Sequence, residues 1–81
     1  MQQYPKLICV TALENHKLLL SYANKEKRVY DFTPNLAHPF FQPLVNQTLF
    51  KKVQAIDGEL EWATGQDFCP HTLYQDSESH A

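Results

Sequence analysis

The most informative stretch of this chain is Val53-Gln54-Ala55-Ile56-Asp57-Gly58-Glu59-Leu60-Glu61-Trp62. Its central pair, Asp57-Gly58, favours a two-residue type I′ turn, in which both residues have positive φ. Such a turn fixes the pairing of the flanking strands and places Ala55 opposite Leu60. The apolar residues of both strands then share one face, so the hydrophobic alternation agrees with the turn chemistry. The stretch therefore predicts a β-hairpin.

Three further strands are predicted in the first half of the chain, over residues 6–13, 17–22 and 27–32. Each is rich in apolar residues, and the second and third place bulky side chains on one face. Asn24-Lys25 is the expected connection between the last two strands, because Asn tolerates positive φ. Lys25 is a poor residue for the second central position, so we expect strain or a longer loop there.

Short helices are predicted after the strands. Thr33 is the expected N-cap of a helical turn, and the prolines within residues 39–43 prevent a long helix. Asn46 is expected to cap a second short helix. A third helix is expected over residues 70–74, because proline is favoured at the first helical position. Phe40 and its neighbours are interpreted as a segment that covers the core.

These elements predict the α+β class, with an antiparallel sheet of about five strands and short helices packed against it. The chain has 81 residues, and a domain of this length buries only about 60–65% of its unfolded surface. We therefore expect a single domain over residues 1–75, with no room for a large cofactor pocket. Residues 76–81 are polar and are predicted to form a flexible tail.

Charge argues against direct binding of nucleic acid. Seven Lys and Arg residues stand against nine Asp and Glu residues, and the net charge is −2. A nucleic-acid binder normally presents a positive surface, whereas the basic runs at residues 25–28 and 51–52 are interpreted as solvated. No apolar run is long enough to span a membrane. Two cysteines, Cys9 and Cys69, do not form a disulfide framework, so we expect free thiols and a cytoplasmic protein.

One set of residue types invites a test for metal or thiol chemistry: Asp67, Cys69 and His71. Carboxylate, thiolate and imidazole are all zinc ligands. Structural zinc sites usually have two well-separated ligand pairs, however, and this chain has one compact cluster. We therefore expect no metal and no cofactor. Cys9 lies in an apolar strand and is interpreted as a small core residue. We predict no catalytic residue.

Most aromatic side chains are expected in the core, because nothing else in the sequence is bulky enough to fill it. Tyr22 and Phe41 are the aromatic residues that we expect to be exposed. Together with Arg28 they form the predicted interaction surface.

From Tyr30 onward the chain also contains a set of spaced residues that resembles a family of small bacterial proteins, domain of unknown function 2442. The set is Tyr30-Asp31-Phe32-x-Pro34, then Phe40/Phe41 with Pro43-Leu44, then Phe50-x-x-Val53, then Trp62-x-x-Gly65-x-Asp67-x-x-Pro70-x-x-Leu73-Tyr74. The resemblance extends from about Lys6 to Tyr74. It implies a small α+β domain with no established activity, sometimes fused to a helix-turn-helix domain.

The resemblance further implies structural roles for seven of these residues: Asp31, Pro34, Trp62, Gly65, Asp67, Pro70 and Tyr74. The chain departs from the family pattern at Asn24-Lys25, and at Cys69 and His71 on either side of Pro70. These departures leave in question any binding role inherited at that corner.

We therefore expect a non-enzymatic protein–protein interaction module, accessory or regulatory, in the bacterial cytoplasm. Its partner would be another protein or a second copy, and an exposed sheet edge offers main-chain donors and acceptors for such a contact. An alternative is one component of a transcription-linked or toxin–antitoxin-type pair whose partner supplies DNA binding. A third hypothesis, from a different functional class, is a metal- or thiol-dependent enzyme centred on Asp67, Cys69 and His71.

Overall fold

Two antiparallel sheets form the framework of this structure, a computed structural model that describes residues 4–80. The strands are β1 (Leu7–Leu13), β2 (Lys17–Tyr22), β3 (Lys27–Asp31), β4 (Gln54–Ile56), β5 (Glu59–Glu61), β6 (Asp67–Phe68) and β7 (Glu78–Ser79). The first sheet has the order β1-β2-β3-β7, and the second has the order β4-β5-β6.

Short helices connect and cover the sheets. Two α-helices, α1 (Gln47–Phe50) and α2 (Pro70–Asp76), follow β3 and β6. A single 3₁₀ turn at Glu14–His16 joins β1 to β2. Two further 3₁₀ helices lie between β3 and α1, and we call them the first (Thr33–Ala37) and the second (Pro39–Val45) 3₁₀ helix. Among residues 4–80, no helix has the length and hydrophobicity needed to cross a membrane.

The predicted α+β class is confirmed, but the strands divide into two sheets instead of one sheet of about five. The five longer strands are those that the sequence predicts. The additional strands, β6 and β7, have two residues each. A two-residue strand is too short to show an alternating pattern, which explains why the sequence does not reveal it.

The hairpin of β4 and β5 is confirmed in turn type and in register. Asp57 has φ 52° and Gly58 has φ 82°, as a type I′ turn requires. Ala55 pairs with Leu60, as predicted. A Cβ atom at Gly58 would lie 3.0 Å from Cγ of the flexible Lys6 side chain, a tight contact, but the positive φ is the main reason that the turn favours glycine.

The core lies between the sheets and the helical segments. Its buried apolar residues are Leu7, Leu18, Leu20, Tyr22, Tyr30, Phe32, Leu44, Phe50, Val53, Leu60, Trp62 and Leu73. Phe32 is at the centre of the aromatic part, within 6.1 Å of five other ring centroids. The expectation that most aromatic side chains fill the core is confirmed.

A β-bulge near the start of β1 overturns the prediction that Cys9 is a core residue. Leu7 pairs with Tyr22 but Cys9 pairs with Ser21, so Ile8 is an extra residue in the strand. The bulge turns the following residues to the other face. Cys9 is therefore exposed, and the exposed fraction of Ile8 is 57%.

Two loop predictions have different outcomes. Lys25 has φ 71° in a loop closed by the bond from the Tyr22 N–H to the Glu26 carbonyl, so the expected strain is confirmed. Thr33 is not the N-cap of the first 3₁₀ helix. Thr33 is instead the first residue of that helix. Its N–H donates to Oδ1 of Asp31 (3.0 Å), because an Asp side chain can reach the backbone two residues further along the chain.

Over residues 76–80 the C-terminal segment differs from the predicted flexible tail of residues 76–81, whose last residue, Ala81, lies outside the described residues. Ser77 is buried, and β7 pairs with Arg28 and Val29 of β3. The amide of His80 donates to the carbonyl of Lys27 (2.8 Å). Hydrogen bonds rather than apolar burial hold this segment in place, so its polar composition does not predict that it is ordered.

Candidate protein-interaction site

The second 3₁₀ helix presents apolar side chains to solvent. Within residues 4–80 the exposed large hydrophobic residues are Ile8, Phe40, Val45 and Ile56, and two of these lie on this helix. A 3₁₀ helix has three residues per turn, so Phe41 and Leu44 share its inner side. The apolar residues left outside are Pro39, Phe40, Pro43 and Val45, which we call the apolar ridge.

The apolar ridge lies in a part of the chain without charged side chains. From Phe32 to Phe50 the sequence contains no Lys, Arg, Asp or Glu. The exposed fractions of Phe40 and Val45 are 48% and 53%. Depletion of charge and enrichment in aromatic residues distinguish the centres of protein interfaces from other surfaces. This uncharged stretch is the sequence signal that could have found the ridge.

Side chains from loops distant in sequence contact the backbone of the apolar ridge. Nε2 of Gln66 donates to the Phe40 carbonyl (3.2 Å), and Nε2 of His16 lies 3.1 Å from the Val45 carbonyl oxygen. The Trp62 indole N–H donates to the carbonyl of Phe50, at the end of α1 (3.0 Å). The backbone that carries the exposed side chains is thereby fixed before any partner arrives, which lowers the entropic cost of binding.

A second polar arrangement, which we call the C-terminal clasp, consists of Glu26, Arg28, Tyr74 and Ser77. Arg28 donates to the hydroxyl and to the carbonyl of Ser77, at 2.6 Å each. It also pairs with Glu26 at 2.9 Å and lies over the Tyr74 ring, with Cζ 4.4 Å from its centroid. The clasp fastens α2 and β7 to the first sheet.

Glu26 is the acceptor at the centre of the clasp. Its carboxylate accepts from the Tyr74 hydroxyl, from the Asn24 amide and from Arg28. These hydrogen bonds, that of Tyr74 first, lower the pKa of Glu26 to about 2. The ionised carboxylate therefore stabilises the fold above its ordinary pKa of 4.5, and this contribution is lost as the pH falls towards 2.

The exposure predicted for Tyr22 is wrong. Its exposed fraction is 5%, because the ring of Tyr74 packs edge-on against it with the centroids 5.1 Å apart. Of the other two predicted contact residues, Arg28 belongs to the clasp and Phe41 is half-buried against Phe32. The predicted surface of Tyr22, Arg28 and Phe41 is thus not a continuous exposed patch.

Tyr22 gives a prediction for alkaline pH. Burial raises its pKa from 10.0 to about 12. Above pH 10 the unfolded chain loses the Tyr22 proton while the folded protein retains it, so the free energy of unfolding falls between pH 10 and 12. We expect the free energy of unfolding of Tyr22→Phe to fall less steeply over that interval, by about 2 kcal/mol at most. Urea unfolding followed by circular dichroism at pH 7, 10 and 11.5 measures this difference.

The same variant has a second expected result at pH 7. The Tyr22 hydroxyl is buried and has no hydrogen-bond partner among residues 4–80, and an unpaired buried hydroxyl is unfavourable. Tyr22→Phe should therefore be as stable as the wild type or more stable. A loss above 1 kcal/mol at pH 7, or a pH dependence parallel to that of the wild type, would contradict this account.

An open cleft of about 310 Å³ lies beside β3 and is lined by Lys17, Val29, Asp31, Asp76 and Glu78. Pockets for small ligands are lined mostly by apolar and aromatic side chains. Here one apolar residue lies among four charged ones. The cleft therefore lacks the lining of a typical small-molecule site.

Comparison with known proteins identifies the family. The family model described as "Protein of unknown function (DUF2442)" matches residues 7–79, nearly the whole chain. The chain belongs to this family. No curated protein and no solved structure matches it.

The motif residues of the DUF2442 chain mainly shape loops and helix starts. Pro34 is the second residue of the first 3₁₀ helix and Pro70 is the first residue of α2, and the Asp31 carboxylate accepts from the Thr33 N–H at the start of the former. Gly65 has φ 98° in the turn between Trp62 and Gln66. Asp67 pairs with Glu61 in the second sheet.

The candidate metal and thiol residues do not assemble into a site. Asp67 lies on β6, and Cys69 and His71 are exposed at the start of α2. His71 stacks on the ring of Tyr4 with the centroids 5.5 Å apart. Throughout the described part of the DUF2442 chain, no three His, Cys, Asp or Glu residues are grouped as metal ligands.

The thiol of Cys69 is the nearest approach to reactive chemistry. Hydrogen bonds from the backbone and side chain of Thr72 lower its pKa. A catalytic thiol also needs a base within hydrogen-bonding distance. Among residues 4–80, the hydrogen bonds of histidine side chains are those of His16 and His38, and neither involves Cys69.

Proposed function

We propose that this DUF2442 protein is a non-enzymatic interaction module that binds a partner protein through the apolar ridge. The observation that carries the proposal is the pair of half-exposed side chains, Phe40 and Val45, on an uncharged and internally braced 3₁₀ helix. We place the protein in the bacterial cytoplasm, as an accessory or regulatory module, and propose neither a cofactor nor direct binding of nucleic acid.

The ridge suits a partner with a concave, uncharged surface. Its side chains are exposed on a helical segment, and aromatic anchors in a desolvated pocket dominate the energetics of many interfaces. Phe40 is the expected anchor: its ring lies 5.0 Å from that of Phe41, which is itself packed on the core. The ring is therefore already oriented before binding.

A narrower form of the proposal is a transcription-linked or toxin–antitoxin-type pair in which the partner supplies DNA binding. The net charge of −2 supports this division of labour, because the chain itself does not offer the positive field that phosphates require. The identity of the partner decides between the accessory and the regulatory form.

Site-directed photo-crosslinking in bacterial cells tests the proposal. Benzoylphenylalanine is placed at Phe40 or Val45 and, as controls, at the exposed positions Lys25 and Gln54. We expect one adduct of defined mass from the ridge positions and none of that mass from the controls. Adducts of equal intensity at all four positions, or an adduct with twice the mass of the chain, would contradict a distinct partner.

Competition makes the test quantitative. Untagged wild-type protein in excess should suppress the adduct, whereas untagged Phe40→Asp should compete at least about tenfold less well. Because Phe40 is at the surface, the variant should retain the wild-type stability within about 0.5 kcal/mol. Equal competition by Phe40→Asp would overturn the proposed role of the ridge.

A further inference from the structure

The second 3₁₀ helix lacks one of its own hydrogen-bond donors. In such a helix the carbonyl of residue i accepts from the N–H of residue i+3. The carbonyl of Phe40 would need the N–H of Pro43, and proline has none. Nε2 of Gln66, 3.2 Å away, occupies the place of the missing donor.

The carbonyl at the end of the same helix is also without a helical partner. The N–H groups of Thr48 and Leu49, which would reach back to Val45, both donate to the side chain of Asn46. Nε2 of His16 lies 3.1 Å from the Val45 carbonyl oxygen. Since a carbonyl only accepts, Nε2 is the protonated nitrogen of that ring.

Both donors occupy positions that are unfavourable by themselves. Gln66 is a buried polar residue, and the hydroxyl of Thr64 contacts its Oε1 and so turns Nε2 towards Phe40. Asn15 and His16 have φ 61° and 57°, in the left-handed region. Two such placements converge on the carbonyls of one seven-residue helix.

We propose that Gln66 and His16 are positioning residues that keep the apolar ridge in its 3₁₀ conformation by supplying the donors that its backbone lacks. The proposal rests on the proposed function only where binding is concerned. The positioning itself is a property of the isolated protein. Neither residue contributes to the exposed surface of the ridge, so both act through the backbone that carries Phe40 and Val45.

Hydrogen exchange on the purified protein tests the positioning. The reporter amides are those of Phe41, bonded to the His38 carbonyl, and Asn46, bonded to the Pro43 carbonyl. Gln66→Met keeps a similar volume but removes the donor, and should accelerate exchange at Phe41 about three- to tenfold, the equivalent of one net hydrogen bond. His16→Asn keeps a residue that tolerates positive φ and should accelerate exchange at Asn46.

Pro43→Ala provides the decisive control because it restores an N–H opposite the Phe40 carbonyl. In the Gln66→Met background it should return the exchange at Phe41 towards the wild-type rate. In the His16→Asn background it should change nothing at Asn46. Unchanged exchange in Gln66→Met, or equal rescue of both variants, would overturn the inference.

Binding is judged separately in the crosslinking competition. Gln66→Met should compete about three- to tenfold less well than the wild type although its surface is intact. If exchange changes as expected but competition does not, a role in binding is overturned while the hydrogen-bonding account stands. If no adduct forms from the ridge of the wild type, the proposed function fails and the exchange result still decides the positioning.

Discussion

Phe32→Ala is expected to lower the free energy of unfolding by about 3–5 kcal/mol, the usual range for removing a buried phenylalanine. A domain of this length has a total stability of roughly 4–12 kcal/mol. The expected loss is therefore a large fraction of the total stability. Urea unfolding followed by near-ultraviolet circular dichroism, which reports the packing of aromatic side chains, measures the loss.

The size of the effect follows from the place of Phe32 in the core. Its side chain is fully buried, and its ring centroid lies 5.1 Å from those of both Phe41 and Trp62. Phe32 is the residue at which β3 gives way to the helical segments. A cavity there would separate the first sheet from α1 and the ridge, and the surrounding rings are too constrained to collapse into it.

Phe40→Ala is the matched control, because it removes the same side chain from the exposed ridge. We expect it to change the stability by no more than about 0.5 kcal/mol. A loss below 1 kcal/mol in Phe32→Ala, or equal losses in the two variants, would show that the aromatic centre does not dominate the stability.

The success of the sequence predictions depends on how local the determining interactions are. The β4–β5 hairpin is specified by adjacent residues, since Asp57-Gly58 sets the turn and the flanking alternation sets the faces. Asn46 is likewise confirmed as a helix cap, because its side chain reaches backbone only two and three residues away.

Predictions failed where contacts between distant residues decide the outcome. The side chain of Tyr22 faces the core and is then covered by Tyr74 from α2, a contact that no local pattern announces. The strand β7 is ordered by the grip of Arg28 on Ser77, 49 residues further along the chain. The bulge at Ile8 changes the faces of β1 without any glycine or proline to mark it.

The candidate interaction site escaped prediction for a related reason. Phe40 and its neighbours indicate apolar contacts, but the choice of side chains that turn inward depends on whether the helix repeats every 3.0 or 3.6 residues. The prolines at 39 and 43 exclude a long α-helix, and the 3₁₀ repeat then leaves Phe40 outside. The donors that stabilise this arrangement, His16 and Gln66, lie in other loops.

Arg28→Met is expected to lower the free energy of unfolding by about 2–3 kcal/mol, because hydrogen bonds to charged groups contribute more than neutral ones. Methionine keeps the aliphatic stem and removes the guanidinium group. The carbonyl and hydroxyl of Ser77 then lose their donor, and Glu26 loses its ionic partner. Urea unfolding at pH 7 measures the global loss, and amide exchange at His80 reports β7 directly.

Comparing amide exchange in β7 with exchange in the other sheet distinguishes a local role of the clasp from a general contribution to stability. The His80 amide depends on β7 lying beside β3, since it donates to the carbonyl of Lys27. Its exchange should therefore accelerate more than that of amides in the β4–β5 hairpin, which lies in the other sheet. Arg28→Lys keeps the charge but not the planar fork that grips Ser77 at two atoms, so it should recover only part of the loss. Lys27→Met, at the exposed neighbouring position, should change neither the free energy of unfolding nor the amide exchange at His80. Unaltered exchange at His80 in Arg28→Met would mean that β7 is held by its two backbone pairs alone.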